Sequence, residues 1–170
     1  MATSDRNIVI TGFMGTGKST VGRRVAELLG RPMVDTDEEI VKRVGMAIPE
    51  IFATYGEDGF RHIEKRICRF YAAHRGYVIA TGGGMLVDEG NREVMVASGF
   101  VVCLSAAPEV IRQRLMKDAA ERPLLAGDWL ALLEKRRPAY AEIPYQMDTS
   151  TRTPEEVAQE IVRLWQNESA

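Results

Sequence analysis

The residues best suited to chemistry begin with a glycine-rich run at positions 12–19, Gly-Phe-Met-Gly-Thr-Gly-Lys-Ser. The run matches the pattern G-x-x-x-x-G-K-[ST] at every fixed position, and it lies between a strand-like and a helical stretch, as a phosphate-binding loop must. Its glycines let backbone N–H groups surround phosphates, and the helix N-terminus adds a favourable dipole. We expect Lys18 to neutralise the β- and γ-phosphates of a nucleotide and Ser19 to ligate Mg²⁺. The predicted nucleotide contacts of this loop are Gly15, Thr16, Gly17, Lys18, Ser19 and Thr20.

A phosphate-binding loop predicts nucleotide binding but does not decide the reaction. The chain contains no N-K-x-D motif, which disfavours a guanine-specific GTPase, and 170 residues leave little room for the second domain of an ATPase motor or transporter. The stretch 116–127 has no clear period, and it fits either an ordinary surface loop or a lid that closes over substrates. A compact chain of this kind favours a kinase that acts on a small molecule.

Two carboxylates follow the second strand-like run, in the segment Asp35-Thr36-Asp37. Ligands of open α/β sheets bind beyond the carboxyl ends of the strands, so these side chains should face the phosphates. Asp35 is a candidate for Mg²⁺ through a water molecule, because Mg²⁺ usually keeps several waters. Asp37 is a candidate to orient an acceptor hydroxyl and take its proton, which typically contributes ~10²–10⁴-fold to a rate. The alternative for Asp37 is that it simply caps the helix beginning at Glu38.

Arg61 and Glu64 are three residues apart, on the side of their helix away from its apolar stripe. The default expectation for such a pair is an ion pair on a wet surface, worth about 0.2–0.5 kcal/mol. Three consecutive glycines, Gly82 to Gly84, follow another strand-like run and cost entropy without adding packing. Close approach of the backbone to a ligand would explain them, and so would a sharp turn from strand to loop.

Arg136 opens the segment Arg-Arg-Pro-Ala-Tyr near the end of a predicted helix. Positive charge at a helix C-terminus commonly compensates the helix dipole. A guanidinium fork also matches a carboxylate with two parallel hydrogen bonds. The residues alone leave both interpretations open.

The composition excludes several other classes of protein. With 22 basic and 24 acidic residues the net charge is −2, so nothing predicts binding to nucleic acid or to an anionic membrane. The two cysteines, at positions 68 and 103, have no metal-binding spacing, and Cys103 lies in an apolar run typical of the core. Only six residues precede the first strand-like run, and no stretch approaches the ~18 apolar residues of a membrane span. We therefore expect a cytoplasmic protein.

Short apolar runs alternate with helical patterns, which predicts an α/β fold with a parallel sheet and helices on both faces. The predicted strands are 7–11, 33–35, 77–80, 100–104 and 145–148. The predicted helices are 18–29, 38–44, 49–54, 58–74, 108–115, 128–141 and 154–165. The apolar stripe of helix 58–74 comprises Phe60, Ile63, Ile67, Phe70 and Tyr71. No internal repeat or linker interrupts residues 1–170, which indicates one domain.

Taken in order, these motifs resemble those of the shikimate kinase family. The resemblance rests on the phosphate-binding loop, Asp-Thr-Asp, Phe-Arg-x-x-Glu, the triple glycine, Arg-Pro-Leu-Leu and Arg-x-Pro-x-Tyr, and it covers nearly the whole length. It implies a P-loop fold of the nucleoside-monophosphate-kinase type, a five-stranded parallel sheet in the order 2-3-1-4-5, an acceptor-binding segment at about 37–64 and a mobile lid at about 116–127. We also expect a monomer.

The activity that the resemblance implies is ATP-dependent phosphorylation of the 3-hydroxyl of shikimate, with Mg²⁺ as cofactor, in aromatic amino-acid biosynthesis. Shikimate would be contacted by Asp37, Arg61, Gly83 and Arg136, with Glu64 supporting Arg61. Lid residue Arg122 would swing onto the phosphates, and Arg112, Arg152 and Pro154 would border the adenine. Asp35 would support Mg²⁺, and Lys18, Asp37 and Arg122 would be the catalytic residues.

Departures from the family pattern are small. Ala47 and Pro49 stand where a helix cap is common, Met85 replaces a smaller residue, and Ala119-Ala120 replaces a glycine-rich lid segment. Two alternatives stay open. A kinase for another polyol acid, such as gluconate, would also use arginines to hold a carboxylate, whereas a regulatory module without catalysis should lack Lys18, Asp37 or Arg122.

Overall fold

The computed structural model describes residues 4–117 and 128–169. Its centre is a five-stranded, wholly parallel sheet in the order β2-β3-β1-β4-β5, which confirms the predicted fold class and strand order. The strands are β1 (Asn7–Gly12), β2 (Met33–Asp35), β3 (Val78–Ala80), β4 (Gly99–Ser105) and β5 (Tyr145–Asp148). The helices are α1 (Lys18–Leu29), α2 (Thr36–Val44), α3 (Ile48–Ala72), α4 (Glu89–Ser98), α5 (Pro108–Lys117), α6 (Trp129–Ala141) and α7 (Pro154–Ser169).

The sheet is covered on both faces because successive residues of a strand point to opposite sides. On β1, Ile8 and Ile10 pack with α1 and α7, whereas Val9 packs with the apolar side chains of α3 to α6 on the other face. All six residues of β1 are buried. A strand buried on both faces is characteristic of a parallel sheet between helical layers. None of the described helices is long and apolar enough to cross a membrane.

The structure differs from the predicted elements mainly between residues 48 and 99. Helix α3 runs through the two predicted helices as one element, with a kink at Gly56, whose φ of 72° and ψ of 179° are not helical. A 3₁₀ turn at Met85–Val87 and helix α4 have no counterpart in the predicted elements. Phe70 is 41% exposed, although the stripe placed it in the core. Cys103 is buried as predicted.

Candidate active site

The carboxyl ends of β1, β2 and β3 meet at one edge of the sheet, because the three strands are parallel neighbours. The phosphate-binding loop leaves β1, the segment 35–37 follows β2, and the three glycines follow β3. The fold therefore brings together, on adjacent strands, three motifs that are separated by up to seventy positions in the chain. This is the edge at which ligands of open α/β sheets bind.

The phosphate-binding loop is already curved around the place of a phosphate. Gly15 and Gly17 have φ values of 77° and 98°, a left-handed conformation that favours glycine. Gly17 is also the N-cap residue of α1 and makes no side-chain cap, so the loop supplies backbone rather than side-chain groups at this helix start. The Lys18 ammonium donates to the Phe13 carbonyl at 3.0 Å, which holds it over the loop.

Ser19 and Asp35 meet directly beside this loop. The Ser19 hydroxyl donates to Asp35 Oδ2 at 2.8 Å, while Asp35 Oδ1 accepts from the backbone N–H groups of Asp37 and Glu38 at 3.0 and 3.2 Å. The cap of α2 is therefore Asp35, and the alternative that Asp37 caps this helix is wrong. One Asp35 oxygen serves the helix and the other faces the hydroxyl expected to ligate Mg²⁺. A hydroxyl and a carboxylate oxygen are hard donors that fit this ion.

Each of the three glycines faces a different predicted acceptor-site side chain. A Cβ built on Gly82 would lie 2.5 Å from Asp37 Oδ1, and one built on Gly83 would lie 3.2 Å from Arg136 Nη1. A Cβ on Gly84 would lie 2.5 and 2.7 Å from Arg61 Nη1 and Nη2. The missing side chains thus make room for one carboxylate and two guanidinium groups that converge on a single stretch of backbone.

Two hydrogen bonds hold this stretch in place. The Gly82 N–H donates to Thr36 Oγ1 at 2.8 Å, and the Tyr140 hydroxyl donates to the Gly83 carbonyl at 2.6 Å. Burial raises the pKa of Tyr140 to about 12, so its hydroxyl keeps the proton that it donates. A Cβ on Gly83 would also lie 3.5 Å from the Gly12 carbonyl, which shows how closely this segment approaches the phosphate-binding loop.

Glu64 is buried, so the expectation of a solvated Arg61–Glu64 surface pair is wrong. The Glu64 side chain is only 2% exposed, and its Oε1 accepts from Arg61 Nη1 at 2.8 Å. Burial raises the pKa of the Glu64 carboxyl, and the charge and hydrogen bond of Arg61 counteract part of this increase. A buried carboxylate that grips one side of a guanidinium fixes the direction in which the remaining N–H groups point.

Arg136 lies one and a half turns before the end of α6, with its guanidinium 5.9 Å from the centre of the Phe13 ring. Its Nη1 also stands beside Gly83, as described above. These contacts direct the side chain towards the phosphate-binding loop rather than towards the last carbonyl groups of α6. The geometry therefore favours a ligand-facing arginine over compensation of the helix dipole.

The residues predicted to border the adenine are less closely gathered. Arg112 is exposed on α5, Arg152 Nη2 donates to the Glu156 carbonyl at 3.3 Å, and Pro154 is the first residue of α7. Arg114, two residues beyond Arg112, instead reaches the phosphate-binding loop. No pattern in the sequence singled out Arg114, because one arginine on a polar helix face carries no distinguishing signal. Arg122, and with it positions 118–127 of the predicted lid, lie outside the described residues.

Comparison with known proteins assigns the family. The family model described as shikimate kinase matches residues 14–166. A shikimate kinase of Thermodesulfovibrio yellowstonii is 42% identical over 166 residues, 95% of each chain, and one of Geobacter sulfurreducens is 45% identical over 161 residues, 92% of this chain and 88% of the relative.

Solved structures agree with this assignment. Shikimate kinase from Acinetobacter baumannii, in complex with shikimate, is 38% identical and superposes with a TM-score of 0.89 over 98% of this chain and 96% of that chain. A gluconokinase from Sinorhizobium meliloti has a TM-score of 0.64 at 18% identity, covering 97% of this chain and 94% of that one, which indicates a shared fold alone. The chain belongs to the shikimate kinase family.

Proposed function

We propose that this protein transfers the γ-phosphoryl group of ATP to the 3-hydroxyl of shikimate, giving shikimate 3-phosphate and ADP in aromatic amino-acid biosynthesis. The observation that carries the proposal is the convergence of Asp37, Arg61 and Arg136 on three glycines that adjoin the phosphate-binding loop. Two guanidinium groups and one carboxylate suit a small acid whose carboxylate is gripped while one of its hydroxyls is presented to the donor.

In this reaction the bond between the γ-phosphorus and the β–γ bridging oxygen breaks, and a bond forms to the oxygen of the acceptor hydroxyl. The protein supplies little covalent chemistry in this step, so it contributes mainly by positioning the reactants and stabilising charge on the transferring group. Arg61 and Arg136 bind the acceptor carboxylate, and Glu64 holds Arg61 in place. Asp37 orients the hydroxyl and accepts its proton, while Lys18 and Arg122 neutralise charge on the transferring group.

Mg²⁺ bound with ATP would supply positive charge that offsets the charge developing on the phosphates. Ser19 and Asp35 are the residues that would hold it, the first directly and the second through water. Arg112, Arg152 and Pro154 border the adenine in this proposal. The cytoplasmic location and the monomeric state stay predictions.

The decisive experiment is an assay of ADP release with ATP and Mg²⁺, in which shikimate, gluconate and no acceptor are compared. We expect ADP release when shikimate is the acceptor, but not with gluconate or without an acceptor. Chelation of Mg²⁺ should abolish it. Faster turnover with gluconate would contradict the substrate assignment but keep the kinase assignment. ADP release that is independent of any acceptor would contradict both.

The variant Lys18→Ala is the matched control for this assay. It should abolish turnover with the fold retained, because Lys18 is needed for phosphate charge and not for the core. Circular dichroism would verify the fold. Turnover that survives this substitution would place the measured activity outside the phosphate-binding loop.

A further inference from the structure

The outer side of the phosphate-binding loop is tied to the opposite half of the chain by two side chains, Arg114 and Thr149. Arg114 Nη1 donates to the Gly15 carbonyl at 3.1 Å. The hydroxyl of Thr149, which follows β5 and is 3% exposed, donates to the Thr16 carbonyl at 2.9 Å. We propose that Arg114 and Thr149 are a positioning pair that sets the orientation of the loop's peptide groups for binding the phosphates of ATP.

Arg114 and Thr149 are also hydrogen-bonded to each other. Arg114 Nη1 donates to Thr149 Oγ1 at 3.0 Å, and Arg114 Nη2 donates to the Thr149 carbonyl at 2.7 Å. A guanidinium group can only donate, so it occupies a lone pair of the hydroxyl and leaves the hydroxyl proton to point elsewhere. The carbonyls of Thr16 and Ser105, at 2.9 and 3.2 Å, are the acceptors that this proton can reach. The contact with Thr16 is the shorter one, and the Ser105 carbonyl already accepts from the Thr149 N–H at 2.8 Å. The Thr149 hydroxyl is therefore directed towards the loop.

These bonds matter because a trans peptide group points its N–H and its C=O in opposite directions. With the carbonyls of Gly15 and Thr16 bound on the outer side, the N–H groups of Thr16 and Gly17 are turned towards the inside of the loop. Within the described part of the chain, the Thr16 N–H makes one long contact, of 3.4 Å, with the Phe13 carbonyl. Inward-facing N–H groups are the groups with which such a loop binds phosphates.

The loop needs this external support because its own residues specify its shape weakly. Thr16 stands between Gly15 and Gly17, and glycine rotates more freely about its backbone bonds than any other residue. Both flanking peptide groups are therefore easily reoriented unless something holds their carbonyls. Arg114 and Thr149 supply that restraint from α5 and from the end of β5, elements outside the glycine-rich motif.

The experiment measures binding of inorganic tripolyphosphate and of ADP by calorimetry, each with Mg²⁺ and without an acceptor. Tripolyphosphate has phosphates but no base, so it separates support of the loop from any direct contact with the base. The inference rests on ATP as the donor in the proposed function. Because no acceptor is present, it can fail while the shikimate assignment stands.

Thr149→Val keeps the side-chain volume but removes the hydroxyl, and Thr149→Ser restores it. We expect Thr149→Val and Arg114→Gln to weaken tripolyphosphate and ADP binding about tenfold, the size of a charge-assisted hydrogen bond. Thr149→Ser should stay within about twofold of the parent, because its hydroxyl can make the same bond. Shikimate binding should not change. Arg163→Gln, at an exposed position of α7, is the control for loss of an arginine.

Arg114→Lys is included in case Arg114→Gln does not fold. Lysine keeps the positive charge but offers one compact ammonium in place of the guanidinium fork. We expect it to bind tripolyphosphate several-fold more weakly than the parent. Unchanged tripolyphosphate binding in Arg114→Lys and Thr149→Val, measured at a temperature where both are folded, would overturn the proposal. So would a loss seen for ADP alone, since that would make Arg114 a contact of the base.

Discussion

Replacing Gly84 by alanine should disable acceptor binding while leaving the fold intact. Gly84 has φ of −93° and ψ of −10°, which alanine adopts without strain. The added methyl group would lie 2.5 Å from Arg61 Nη1, 2.7 Å from Nη2 and 2.9 Å from Cζ. To restore an ordinary contact of 3.4 Å, the guanidinium must move by about 0.9 Å. The three nearest atoms all belong to the guanidinium, so the methyl group would displace the functional end of Arg61.

The size of the effect follows from that displacement. Arg61 is held by Glu64 at 2.8 Å, and a shift of this size breaks the alignment between the two groups. A misplacement of about 1 Å in a positioning group can cost ~10²-fold in rate. We expect kcat/KM for shikimate to fall by about that factor. Alanine restricts the unfolded chain by about 0.4–1 kcal/mol, which offsets part of the stability lost when the buried Glu64 carboxylate is less well paired, so the variant should still fold.

The assay combines initial rates at varied shikimate and ATP with a thermal melt of each variant. Gly83→Ala is an internal comparison, because its methyl group would lie 3.2 Å from Arg136 Nη1 and asks for a shift of only tenths of an ångström. Gly90→Ala, on the exposed start of α4, is the control for the substitution itself. A Gly84→Ala variant with nearly normal kcat/KM for shikimate would refute the role given to the Arg61 position. An equal loss at Gly83 and Gly84 would refute the steric reasoning.

Three further substitutions test other parts of the site. Arg136→Lys should raise the calorimetric Kd for shikimate about tenfold or more with little change for ATP, because an ammonium cannot reproduce a bidentate fork; equal losses for both ligands would contradict this. Arg122→Ala should lower kcat far more than it raises the Kd for shikimate, and an effect under about threefold would reduce the predicted lid to ordinary surface. Glu64→Gln should weaken shikimate binding by releasing Arg61. Burial raises the pKa of Glu64 above its usual 4.5, so the folded state keeps this proton to a higher pH than the unfolded state. As pH rises from about 4.5 through the raised pKa, the parent should therefore lose stability relative to Glu64→Gln. Melting temperatures of the two proteins that change in parallel with pH would argue against this.

Local patterns predicted most of the fold. Helix α1 and strands β2 and β5 begin and end at the predicted residues, because glycine, proline or a clear apolar run marks their boundaries. The strand order came from the resemblance, since periodicity alone does not say which parallel strands are neighbours. Helix α4 was missed because its apolar residues, at 94–97, are consecutive rather than at helical spacing, and its cap at Asp88 resembles an ordinary turn.

The site was harder to read than the fold because burial cannot be inferred from spacing alone. Glu64 lies at a polar position of an exposed-looking helix face, yet its side chain is only 2% exposed. The matching of Gly82, Gly83 and Gly84 with three side chains from α2, α6 and α3 is a tertiary arrangement that no local pattern encodes. The Arg114 and Thr149 contacts to the loop were missed for the same reason.

Asp35 has a structural role besides its predicted role with Mg²⁺, so an aspartate at this position is weak evidence that activity is retained. One oxygen begins helix α2, and replacing a capping side chain by alanine typically costs about 1 kcal/mol of stability. Natural selection for folding alone would therefore retain a capping residue at position 35 after catalysis had disappeared. In a descendant that had become a mere scaffold, selection for phosphate binding at Lys18 would end, whereas selection for the cap of α2 at Asp35 would continue. Loss of activity would therefore appear as substitution of Lys18 well before substitution of Asp35.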